Sequence, residues 1–103
     1  MLRIERTNSG TSVSFRLSGR LEKVELAELE AQIQSESKKD HIVLDLQDVT
    51  LVDLNAVNSL DRFEMDRIEL INAPAYIRTW IESERERFRA ETEELNRGNG
   101  KRK

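Results

Sequence analysis

The sequence predicts an α/β domain in which helices pack on a small mixed β-sheet. Strand-like and helix-like patterns alternate along the chain, as expected when helices and one sheet form two layers. Residues 42–46 are apolar and rich in β-branched side chains, which predicts a buried strand at the centre of the sheet. The length of 103 residues fits one domain with a thin core.

The first two strands are predicted at residues 2–5 and 11–17. They are separated by Asn8-Ser9-Gly10, whose residue types suit a hairpin turn. Apolar and polar side chains alternate in the second strand, and this period of two predicts one buried face and one solvent-facing face. The apolar positions of that strand are Val13, Phe15 and Leu17.

A bend is predicted at residues 18–21, followed by a helix over residues 22–35. The helix is predicted from an apolar stripe at helical spacing and from acidic residues in the first turn, where they complement the helix dipole. The stripe consists of Leu26, Leu29 and Ile33, and the acidic residues include Glu22 and Glu25.

The central strand is predicted to end at Gln47-Asp48, and a second helix to begin after Asp53. As the N-cap residue, Asp53 would accept a hydrogen bond from a free amide of the first turn. The apolar spacing of this helix is given by Val57, Leu60 and Phe63. Only about a dozen residues separate Asp53 from the next predicted strand, so the helix is predicted to be short.

A further strand is predicted at about residues 67–72, and Ala73-Pro74 marks the start of the last helix because proline is tolerated in a first helical turn. This helix begins with an apolar stripe that gives way to charged residues after Ile81. The sequence therefore predicts a domain over residues 1–82, a charged helical extension over 83–96 and a flexible basic tail over 97–103.

Two interpretations of the helical extension stay open. Ile77, Trp80 or Ile81, Phe88 and Leu95 follow a loose seven-residue spacing, which suits a helix that binds a partner or a second copy of the chain. The other interpretation is a solvated helix that is stabilised by charged neighbours along its own surface.

Composition excludes several classes of protein. Net charge is −3, and residues 1–96 hold 13 basic against 20 acidic residues, a net charge of −7 that argues against a general nucleic-acid binder. There is no cysteine, and so no disulfide framework. The apolar runs are too short for a signal peptide or a membrane span. We therefore expect a cytoplasmic protein.

Few residues offer catalytic or metal chemistry. His41 is the only histidine and cysteine is absent, so a zinc site is not expected. Asp45, Asp48 and Asp53 lie within nine residues, but a mid-strand residue and a helix cap need not converge on a divalent ion. The glycines form no phosphate-binding loop, and no serine has a nucleophile signature. We expect no enzymatic activity, no cofactor and no metal.

Three short motifs resemble the STAS domain of anti-sigma factor antagonists and sulfate transporters. They are Leu17-Ser-Gly-Arg-Leu21, the Val52-Asp53 step before a helix, and Leu70-Ile-Asn-Ala-Pro74. Their order and spacing match the family over roughly residues 2–81. The resemblance implies a STAS-like, also called SpoIIAA-like, fold with an extended C-terminal helix.

The middle motif departs from the family pattern, which reads hydrophobic-Asp-Ser-Ser/Thr-Gly-Leu. Asp53 keeps the family aspartate, whereas Leu54 replaces the serine that partner kinases phosphorylate in relatives. Asn55 replaces Ser/Thr and Ala56 replaces Gly, while Val57 keeps an apolar position. The resemblance therefore implies a regulator that is not switched by phosphorylation at the family serine position.

The function implied by the resemblance is that of a non-enzymatic, protein-binding regulator in bacterial signalling and transcription. Its partner is expected to be a protein, such as an anti-sigma factor or a regulatory kinase. The residues expected to bind the partner are Asp53, Leu54, Asn55, Ala56 and Asn58. The alternative is a structural or oligomerisation subunit of a larger regulatory or transporter complex, in which the C-terminal helix joins copies of the chain.

Overall fold

Four strands form a single sheet in the order β1-β2-β3-β4. The computed structural model describes residues 2–37 and 40–100, with side chains through residue 91. The strands are β1 (Leu2–Ser9), β2 (Ser12–Leu21), β3 (His41–Val52) and β4 (Glu69–Ile71), and the helices are α1 (Lys23–Gln34), α2 (Leu54–Met65) and α3 (Ala75–Gly100). Strand β1 is antiparallel to β2, whereas β3 is parallel to both β2 and β4. The predicted mixed sheet with an extended C-terminal helix is confirmed.

The core lies between one face of the sheet and the helices. The predicted alternation in β2 is confirmed, because Val13, Phe15 and Leu17 have no exposed surface while Arg16 is exposed on the other face. The helices contribute Leu26 and Leu29, Val57, Leu60 and Phe63, and Ile77 and Ile81. Removal of this apolar surface from water is the main driving force for folding.

Both central strands are longer than the sequence predicts. Residues 18–21 continue β2 rather than forming a bend, and β3 passes through Gln47-Asp48 rather than ending there. The pairing of β2 with β3 shifts register twice, and each shift leaves one additional residue in β3. Asp45 Oδ1 accepts a hydrogen bond from the backbone N–H of Gln47 at 3.0 Å. The polar residues that suggest a strand end therefore mark a β-bulge.

Helix α2 is not short. It has 12 residues, as α1 has. A helix of this length fits before β4 because the turn between them is tight and β4 is brief. The backbone N–H of Ile68 donates to the carbonyl oxygen of Phe63 at 2.9 Å. Arg67 and Asn72 have φ values of 71° and 56°, a left-handed conformation that a strand does not contain. Strand β4 is therefore limited to three residues, fewer than predicted.

Helix α3 begins at Ala75, directly after Pro74, whose carbonyl oxygen accepts hydrogen bonds from the N–H groups of Ile77 and Arg78. Its first turns contribute to the core, as expected from the apolar stripe. The predicted basic tail over residues 97–103 lies outside the described side chains, so its flexibility stays a prediction.

An ion pair connects Arg6 of β1 to Glu36, which follows α1, and predicts a pH dependence of folding. Arg6 donates to both carboxylate oxygens of Glu36, at 2.7 and 2.9 Å. The hydrogen bond from Arg6 holds the pKa of Glu36 below its usual value. A carboxylate with a lowered pKa stabilises the folded state above its unfolded pKa, and this contribution is lost as pH falls through the folded value.

We therefore expect Glu36→Gln to remove part of the loss of stability in acid. Melting temperatures measured at several pH values above and below the ordinary glutamate pKa of 4.5 would reveal a flatter profile for the variant. Arg6→Gln should flatten the profile in the same way, because it removes the cause of the shift. A variant profile parallel to the wild-type profile would contradict this assignment.

Candidate functional site

Asp53 joins the first turns of two helices. Its Oδ1 accepts a hydrogen bond from the backbone N–H of Ala56 at 2.8 Å, which confirms the predicted N-cap of α2. Its Oδ2 accepts from the backbone N–H of Lys23, the first residue of α1, at 3.1 Å. This second bond connects residues 30 positions apart, and no local pattern in the sequence predicts it. One carboxylate thus satisfies free donors of both helices and complements both dipoles.

The geometry follows from the topology. Because β2 and β3 are parallel, their carboxyl ends lie at the same edge of the sheet, and α1 and α2 both begin there. Leu21 and Val52 pair at this edge. Asp53 follows Val52 directly, so its carboxylate lies between the starts of the two helices.

The residues that follow Asp53 differ in their access to solvent. Leu54 is 45% exposed, and Asn55 and Asn58 are exposed too. Ala56 has no exposed surface, because its side chain faces the core from the first turn of α2. Its side chain is therefore not available to a partner, in contrast to the expectation from the family motif.

A groove between α2 and α3 continues from this site along the helix layer. We call it the α2–α3 groove. Its rim on α2 includes Asn58, Arg62 and Met65, and its rim on α3 includes Phe88 and Arg89. Met65 and Phe88 are 75% and 72% exposed. The grouping of these residues in one groove has no signal in the sequence, since spacing along each helix does not reveal which faces of two helices meet.

Charged side chains connect the two helices at the floor of the groove. Arg78 donates to Glu64 at 2.9 Å, and Arg85 donates to Asp61 at 2.6 Å and to Glu64 at 3.0 Å. The hydrogen bond to Asp61 raises the pKa of Arg85. Farther along α3, Arg87 lies 3.7 Å from Glu84 and Glu91. The extension therefore combines pairs within α3 with contacts to α2.

The histidine and the aspartates considered for metal or acid–base chemistry make separate local contacts. His41 Nε2 lies 2.9 Å from Glu69 Oε1 at the exposed edge of the sheet. Asp45 accepts a hydrogen bond from Asn72, and Asp48 accepts two from Arg16. Among the described residues, no group of three or more His, Cys, Asp or Glu is arranged to hold a metal ion. The three carboxylates in question thus serve separate local roles.

The described part of the chain contains no helix with an apolar stretch sufficient to cross a lipid bilayer.

Comparison with known proteins identifies the fold. An antisigma-factor antagonist STAS domain from Rhodobacter sphaeroides superimposes with a TM-score of 0.54 at 13% sequence identity, over 69% of this chain and 86% of that chain. The fold is STAS-like. No family model matches the sequence, and no curated protein matches it.

Two further structures resemble this chain less closely. A structure described as Mglu gives a TM-score of 0.49 at 20% identity, over 64% of this chain and 18% of that one. A protein of the DUF3478 family with a SpoIIAA-like fold from Shewanella loihica PV-4 gives 0.39 at 15% identity, over 62% and 57%.

Proposed function

We propose that this STAS-like domain is a non-enzymatic regulator that binds a protein partner through Leu54, Asn55 and Asn58, positioned by Asp53. We call these four residues the partner surface. The observation that carries the proposal is the 45% exposure of Leu54 in the first turn of α2. Asp53 fixes that turn relative to α1, so the exposed leucine is preorganised for burial against a partner, which lowers the cost of binding.

The likeness of the fold to an anti-sigma factor antagonist supports a proposal for the class of partner. We propose an anti-sigma factor or a regulatory kinase of bacterial transcription control, bound in the cytoplasm. The exposed amides of Asn55 and Asn58 would supply hydrogen bonds around the apolar contact of Leu54. This combination of an apolar centre and a polar rim is typical of protein interfaces.

Binding through this surface would not depend on phosphorylation of residue 54. Leucine has no hydroxyl group, so a serine kinase cannot add the charge that disrupts docking. Ser59 is the nearby hydroxyl within α2, but it is only 4% exposed and its Oγ accepts a hydrogen bond from Arg62. We propose that the domain acts by occupancy, meaning that its concentration relative to the partner determines the response.

Leu54→Asp is expected to weaken partner binding about tenfold or more, because it places a charge in an apolar contact. The fold should tolerate this change, since an acidic residue in the first turn complements the helix dipole by about 0.3–1 kcal/mol. The measurement is capture of partners from lysate on the immobilised domain, followed by titration of the identified protein by calorimetry.

Tyr76→Asp is the matched control. Tyr76 is 49% exposed and lies in the first turn of α3, so the change has similar exposure and similar helix chemistry at a different place. A partner that binds wild type and Tyr76→Asp but not Leu54→Asp would support the proposal. If Leu54→Asp and Tyr76→Asp bound the captured protein with equal affinity, the proposed role of the partner surface would be contradicted.

A further inference from the structure

The α2–α3 groove combines exposed apolar side chains with a net positive charge in its lining. Met65 and Phe88 are the apolar side chains on its two rims. Four arginines and three acidic residues line it, although the domain as a whole is acidic. Arg78 and Arg85 neutralise the carboxylates at the floor. Arg62 and Arg89 make no ion pair with any described side chain, and the lining as a whole contains one more arginine than acidic residues.

The outer face of α1 has the complementary character. Val24 is 82% exposed and lies opposite the buried Leu26 and Leu29. Ala27, Glu28 and Ala31 share the exposed side with Val24. Every charged residue of α1 after Lys23 is acidic, namely Glu25, Glu28 and Glu30. This helix therefore presents an apolar surface flanked by negative charge.

We propose that two copies of the chain associate through their helix layers, with α1 of each copy in the α2–α3 groove of the other. Both α1 and the groove lie on the solvent side of one layer, since the opposite sides of α1 and α2 face the sheet. A two-fold axis along this layer places each α1 over the partner's groove at once, which gives a closed dimer. Helix α1 and helix α2, which forms one rim of the groove, each have 12 residues. The length of α1 therefore matches the length of that rim.

The proposed dimer goes beyond the partner-binding function and connects to it at one residue. Asn58 belongs both to the partner surface and to the rim of the groove. Self-association would therefore cover part of the partner surface, and the dimer and the partner complex would compete. The dimer itself can be tested without any knowledge of the partner.

Charge reversal separates this arrangement from other modes of association. In one variant, Arg62→Glu and Arg89→Glu make the groove acidic, like α1. In the other, Glu28→Arg and Glu30→Arg make α1 basic, like the groove. Sedimentation velocity and light scattering should give wild type a mass about twice the 12.0 kDa of one chain at high concentration. Each variant alone should associate at least about tenfold more weakly than wild type, because like charges then meet at both contacts.

A mixture of the two variants is the decisive sample. Each α1 would again meet a groove of opposite charge, so the mixture should recover the dimer mass. This recovery also shows that both variants are folded. Added salt should weaken both the wild-type dimer and the mixed dimer, because the complementary charges lie at the rims and are screened.

Arg3→Glu on β1 is the control, since this side chain is 77% exposed and lies away from the helix layer. It should leave the mass unchanged. A monomeric wild type at all concentrations would overturn the proposal. Dimeric single variants would overturn it too and indicate another surface, such as pairing of two α3 helices. A mixture that stays monomeric would exclude the contact between α1 and the groove.

Discussion

Replacing Asp53 by alanine is expected to lower the free energy of unfolding by about 2–3 kcal/mol. Loss of one N-cap side chain typically costs about 0.5–2 kcal/mol. Asp53 accepts hydrogen bonds from the backbone N–H groups of both Lys23 and Ala56, so alanine leaves donors of two helices without this acceptor. Urea denaturation followed by circular dichroism measures the change, provided that the slope with denaturant stays constant.

Asp53→Asn tests whether both oxygens contribute. Asparagine keeps one oxygen, but its amide nitrogen is a donor and cannot accept the second N–H. We expect a loss about half as large as that of Asp53→Ala. Asp48→Ala is the control, since its partner Arg16 is half-exposed and such pairs contribute about 0–1 kcal/mol. An Asp53→Ala effect no larger than that of Asp48→Ala would contradict the double-cap role.

The features that the sequence predicts correctly are those determined by local chemistry. The alternation from Val13 to Leu17 gives the buried face of β2, and the carboxylate of Asp53 gives the start of α2. In each case the residues that form the pattern lie within a few positions of the element that they predict. The mixed sheet follows from the order of such elements, because hairpins give antiparallel neighbours and helical connections give parallel ones.

The features that the sequence does not predict depend on tertiary contacts. Gln47-Asp48 resembles a strand end, yet pairing with β2 keeps the chain extended and converts the polar residues into a bulge. Lys23 and Asp53 meet only because two parallel strands end at one edge. Ala56 belongs to the segment expected to bind a partner, but the orientation of α2 buries its side chain. Tertiary packing thus decides which residues of a motif reach the surface.

The same limit applies to the candidate site. Leu54, Asn55 and Asn58 follow Asp53 closely in sequence. They are exposed together because they lie in the first turns of the same helix. Arg62 and Phe88 lie on different helices and form a groove only after α3 docks on α2. The contacts of Arg85 with Asp61 and Glu64 connect the two helices, and no periodicity along α3 reveals them.

Phe15→Ala is expected to have the largest effect, a loss of about 3–5 kcal/mol in the free energy of unfolding. Phe15 has no exposed surface and lies on β2 opposite Leu44 of β3. Alanine removes most of its apolar contacts and leaves a cavity in a thin core. Because small domains have a total stability of about 5–15 kcal/mol, the variant should unfold at a much lower temperature.

Two further substitutions make this a test of the one-sided sheet. Phe15→Leu retains most of the apolar volume, and we expect a loss of about 1–1.5 kcal/mol. Arg16→Ala changes the adjacent residue on the opposite face, where the ion pair with Asp48 is half-exposed, and should cost less than about 1 kcal/mol. Similar losses for Phe15→Ala and Arg16→Ala would contradict a sheet with one covered face. The period of two requires a large difference between the stability losses at neighbouring residues, since successive side chains of a strand point to opposite faces.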